Sequence, residues 1–65
     1  MLTVKHTFNW VRPYAAHPVP VQAGAPVEQI GRGYFIVPSY FKDPLLRHDA
    51  EYHGCSVDID NIEET

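Results

Sequence analysis

The stretch Leu2-Thr3-Val4-Lys5-His6-Thr7-Phe8-Asn9-Trp10-Val11 decides what kind of fold this chain adopts. Leu2, Val4, His6, Phe8 and Trp10 fall on one side of an extended chain, and Thr3, Lys5, Thr7, Asn9 and Val11 on the other. A period of two in Thr-, Val- and aromatic-rich sequence marks a β-strand with one buried face. His6 interrupts the apolar face midway.

Beyond Val11 the character changes. Pro13, Pro18, Pro20 and Pro26, with Gly24, exclude a helix over residues 12–26 and argue against a central strand. Val19 and Val21 alternate with Pro18 and Pro20, so the segment reads as a Pro-rich loop or an extended edge. Val27-Glu28-Gln29-Ile30 and Tyr34-Phe35-Ile36-Val37 then flank Gly31-Arg32-Gly33, which predicts a hairpin. Its second arm is apolar at four successive positions, as in a strand covered on both faces.

Asp43-Pro44 has the form of a helix start, Asp as cap and Pro at the first helical position, and Gly54 offers a left-handed stop. One short helix near 44–53 follows, with a narrow face of Leu45, Leu46, Asp49, Ala50 and His53. Cys55-Ser56-Val57-Asp58-Ile59 resumes alternation as a last strand with Cys55, Val57 and Ile59 inward. Residues 63–65 read as an acidic frayed tail.

These elements predict one domain over residues 1–65, mainly β within a small α+β fold. Four to five short strands pair antiparallel, because the gaps are too short for parallel crossovers. A bent sheet or an SH3-like open barrel follows from strand count and length, with no family motif behind it.

Composition supports a folded chain. Of the 65 residues, 45% are hydrophobic and 20% charged, and eight are aromatic. That is far from the apolar-poor, highly charged make-up of disorder. Small domains bury only about 60% of their chain surface, so stability is marginal. The single Cys55 closes no intrachain disulfide. No run approaches the roughly 20 apolar residues of a membrane span, and the opening residues lack the layout of an export signal. With a lone thiol, the expected compartment is a reducing cytoplasm. The size and single thiol are in the style of small accessory proteins of bacteria and their viruses.

Charge is uneven along the chain. Residues 1–47 carry five basic and two acidic side chains, net +3; residues 48–65 carry six acidic and no basic ones, net −6. The bland reading is a solvated acidic end, and the sharper one an interaction edge for a basic partner. The overall charge of −3 argues against general nucleic-acid binding, which rests on clustered Lys and Arg.

The densest group of reactive side chains is His48-Asp49-Ala50-Glu51-Tyr52-His53-Gly54-Cys55. Asp49 and His53 stand at the i, i+4 spacing of a helical metal pair and Cys55 follows, with His6 or His17 as a distant fourth ligand. The plainer reading is a polar helix face beside a buried thiol. Cys55 follows the helix at its negative end in acidic sequence, which disfavours an activated thiolate. Asp58 and Asp60 would share an open strand face without the pocket that tunes a catalytic carboxylate. Gly31-Arg32-Gly33 precedes a strand rather than a helix, so a turn outweighs a phosphate cradle.

The aromatic residues are the richer prospect. Most belong to the core, but Tyr14 and Tyr40, flanked by Pro and Ser, are expected at the surface with Arg32 and Lys42. Aromatics and Arg are the residue types that dominate protein–protein hot spots. The expected function is therefore a small non-catalytic protein-binding module, alone or self-associated, that needs no cofactor. Partner contacts fall to Tyr14, Arg32, Tyr40 and Lys42. One alternative is a nucleic-acid-binding small barrel that stacks bases on the aromatics. Another is a metal- or thiol-dependent activity at Asp49, His53 and Cys55.

Overall fold

In the computed structural model, which describes all 65 residues, the opening stretch forms two strands. β1 (Leu2–Val4) and β2 (Phe8–Trp10) are separated by a bend at Lys5 and His6. The bend is fastened from the far end of the chain. Lys5 donates to the Asn61 carbonyl at 2.8 Å, and the Asn61 side chain both accepts from the His6 amide and donates to its carbonyl, each at 2.9 Å. His6, which interrupts the apolar face in the sequence, lies exposed at this corner.

The other strands are β3 (Val19–Val21), β4 (Val27–Ile30), β5 (Gly33–Ile36) and β6 (Ile62–Glu64). They pair as three antiparallel two-stranded sheets: β1 with β6, β2 with β3, and β4 with β5. Thr3 bridges to Pro26 and Phe35 to Ser56, so β6, β1, the 24–27 segment, β5 and residues 55–57 follow one another around a bent surface. The fold is mainly β with one short helix, as expected, and its ladders are three antiparallel two-stranded sheets.

The hairpin and the helix lie where the sequence puts them. Ile30 pairs with Gly33, leaving Gly31 and Arg32 as a two-residue turn, and Gly31 takes the positive φ of +61° that such a turn asks of its first central residue. Helix α1 (Pro44–Tyr52) opens on Asp43, whose side chain accepts from the Leu45 amide at 2.9 Å, with Pro44 at the first position. Its buried face is narrower than expected: Ala50 is buried, Leu46 half-buried, and Leu45 75% exposed.

Two expectations are corrected. Val57 and Cys55 point inward, but Ile59 is 63% exposed. Asp58 accepts from the Asp60 amide at 3.0 Å and starts a 3-10 turn over Ile59–Asn61, which ends the alternation. Residues 63–65 are not frayed. Glu63 and Glu64 lie in β6 opposite Thr3 and Leu2, and the Thr65 amide donates to the Met1 carbonyl at 2.7 Å. Edge pairing with a partly apolar strand outweighs the weak strand preference of the two acids.

Within the Pro-rich segment 12–26, only Val19–Val21 forms a strand. Pro20 sits in β3 opposite Asn9, and Gly24 and Ala25 hydrogen-bond to Val4. The core joins Val4, Trp10, Val21, Val27, Ile36, Phe41, Ala50, Cys55 and Val57.

Candidate functional site

Extended chain leaves β2 at Trp10, and the i, i+2, i+4 spacing of Trp10, Arg12 and Tyr14 keeps these side chains together. The Arg12 guanidinium carbon lies 5.7 Å from the centre of the Trp10 ring and 6.0 Å from that of Tyr14. Arg12 also donates to Asp49 of α1 at 2.7 Å, and both side chains are only 17% exposed. Its Nε is buried without a partner. The charge is therefore held by one carboxylate and two aromatic faces, an arrangement suited to the flat, weakly hydrated guanidinium.

The aromatic contacts extend on both sides. Trp10 packs on Phe41 at 5.2 Å and Phe41 meets Tyr40 edge-on at 5.1 Å. Tyr14 packs on His53 at 5.3 Å, His53 on Tyr52 at 4.7 Å, and Tyr52 stacks on His48. The C-terminal end of α1 thus presents an aromatic surface next to the arginine.

Electrostatics here follow from proximity. Hydrogen bonds from Arg12, and next from Tyr14, hold the Asp49 carboxyl below its usual range. Tyr14 is shifted upward, first by partial desolvation and then by its hydrogen bond to the Asp49 carboxylate. Tyr14 as a whole is nonetheless 57% exposed, although Arg12 and His53 pack against its ring.

A groove of about 650 Å³ runs beside these residues, within the size range of ligand sites. One wall is the continuous run Phe8 to Tyr14, and the other is His53, Gly54, Ser56, Asp58 and Asn61. Gly54 is suited to this wall. It stops the helix with a φ of +80°, and a Cβ there would stand 3.1 Å from the Phe35 ring. A smaller hollow of about 410 Å³ lies across Gly54, between α1 and the hairpin.

Of the four residues expected to contact a partner, only Tyr14 lines the large groove; His53 and Asp58, weighed in the sequence for other chemistry, line it as well. Arg32 is exposed at the hairpin tip. The Tyr40 hydroxyl accepts from the Gln22 amide at 3.0 Å and is committed to the fold. Lys42 is exposed ahead of the helix. Arg12 is the central residue that sequence reading underweighted, and its signal was the alternation Trp10-Arg12-Tyr14.

Asp49, His53 and Cys55 are not brought together. No group of three or more His, Cys, Asp or Glu side chains converges as a metal would require. Asp49 is engaged by Arg12, and Cys55 is fully buried. Burial pushes its thiol up to about 12, far from the range of a nucleophilic cysteine. No helix is long and apolar enough to cross a membrane. Comparison with protein-family models, curated proteins and solved structures yields no match to this chain.

Proposed function

We propose that this chain is a small non-catalytic protein-binding module whose binding surface is the groove beside Trp10, Arg12 and Tyr14. The observation that carries this reading is the pre-set arginine: Arg12 lies between two aromatic rings, is fixed by Asp49, and sits in the wall of an open groove. Ordering an arginine costs side-chain entropy, and a surface that has already met that cost binds with less penalty. Tyr, Trp and Arg are also the residues that most often anchor protein interfaces.

The nucleic-acid alternative has less support. Arg12 is neutralised by Asp49, and Asp58 lines the opposite wall, so the groove lacks the free cations that phosphate contacts use. The thiol-dependent alternative loses its nucleophile to burial.

The test is selection of a displayed peptide library on the immobilised protein, followed by binding measurements on the selected peptides. Tyr14→Ala removes an exposed ring without opening the core, and is expected to weaken them about tenfold or more, the scale of one hot-spot side chain. Selected peptides indifferent to Tyr14→Ala, or no selected peptides at all, would overturn the reading.

A further inference from the structure

The long groove lies along strand edges rather than over a sheet face. Its first wall is seven consecutive residues, Phe8 to Tyr14; it begins with β2 (Phe8–Trp10) and so includes residues of both faces of that strand. A cavity over one face would be lined by every second residue. Asn9 pairs with Pro20, which has no N–H to give. The ladder is therefore served by the flanking pairs Phe8–Val21 and Trp10–Val19, and the Asn9 main chain turns away from β3 toward the groove. Val11, the next residue of that alternation, makes no hydrogen bond within the chain.

The facing wall has the same property. Ile36 donates to the Cys55 carbonyl at 2.9 Å and Val57 donates to the Tyr34 carbonyl at 2.8 Å. Residues 55 and 57 thus spend their main-chain groups on β5. Ser56, between them, directs its own to the other side, makes no hydrogen bond within the chain and lines the groove. Two open strand edges face one cavity, and open edges are templates for another strand.

We propose that this groove takes up an extended, basic segment of a partner protein as an added strand, hydrogen-bonded to the edges at Asn9 and Ser56. The inference rests on the reading of the chain as a protein-binding module and names the mode of binding. Main-chain pairing supplies affinity in such complexes, and alternate side chains supply selectivity. The sign of the partner's charge follows from the walls. Arg12 is cancelled by Asp49, which leaves Asp58 as the one unpaired charge of the groove lining. A basic segment is attracted and an acidic one repelled.

The experiment is an amide-resolved NMR titration of the wild-type protein with three synthetic peptides. The first alternates lysine and valine over about ten residues, the second replaces lysine with glutamate, and the third is the first with two adjacent central amides N-methylated. Adjacent amides of a strand point to opposite edges, so methylation removes one donor toward each wall. The lysine peptide is expected to shift the Asn9, Val11 and Ser56 amides; the other two are expected to bind about tenfold or more weakly. Equal binding of the methylated peptide would overturn strand addition and leave the module reading intact. Tighter binding of the glutamate peptide would overturn the charge assignment. No binding of the lysine peptide below about 1 mM, while Tyr14-dependent library peptides bind, would overturn this inference alone. Shifts of the same amides on raising protein concentration without peptide would give the groove to a second copy, and overturn the partner proposed.

Discussion

Arg12 ties the strand half of the molecule to the helix, and its ion pair gives the site a pH signature. Asp49 is held below its ordinary 3.8 in the fold, so it titrates lower when folded than when unfolded. Its contribution is complete above 3.8 and is lost as pH falls through the depressed folded value. Thermal unfolding followed from about pH 5 to pH 2 is expected to show a larger acid loss for the wild type than for Asp49→Asn, which lacks the titrating carboxyl. Parallel acid profiles would mean that the pair contributes nothing differential to the fold. The site is only partly legible at this scale. Tyr14 reads as exposed because Pro and Ala surround it, but Arg12 reads as one more surface cation. Its burial depends on Asp49, 37 positions away, and no local pattern announces that pairing.

At the scale of elements, what sequence resolves is local chemistry. The cap pair Asp43-Pro44 and the Gly-bearing turn at 31–32 act within a few residues, and both appear where their chemistry places them. The break between β1 and β2 is different. Alternation in sequence says nothing about which strand lies alongside: Leu2 to Trp10 reads as one period, but it divides between two sheets, with Thr3 and Val4 both buried and Lys5 to Thr7 all exposed. The corner is made by Asn61, 55 positions from His6, through two hydrogen bonds to one residue's backbone. Asn61→Ala is expected to cost about 1 kcal/mol, a typical net loss for exposed hydrogen bonds, read as a lower urea midpoint at unchanged slope. An unchanged midpoint would show that backbone pairing alone sets the bend. The same lesson applies to Ile59: alternation carries it inward, and the Asp58 turn, a competing local hydrogen bond, carries it out.

At the scale of the whole molecule, the core has little redundancy. Cys55 is fully enclosed, and burial raises its thiol from 9.0 to about 12. A group whose folded pKa is raised gives stability that is complete below 9.0 and lost as pH climbs toward 12. Tyr14, raised above 10.0, adds loss in the same direction. Each unit of separation is worth about 1.4 kcal/mol, and a domain of this size has only a few kcal/mol in hand. Alkaline unfolding is therefore expected between pH 9 and 12, with a shallower loss for Cys55→Ala relative to its own neutral stability. Identical alkaline profiles would contradict the assignment to Cys55.

Amide hydrogen exchange on the free protein reads the two open edges residue by residue. Slow exchange is expected at Phe8 and Trp10, whose pairs carry the β2–β3 ladder, and at Ile36 and Val57, which bond to facing carbonyls. Between them, Asn9 and Ser56 are predicted to exchange fast, near the rate of unstructured chain. Protection of Asn9 and Ser56 equal to that of their neighbours would mean that both edges are already paired, leaving no open edge for an added strand.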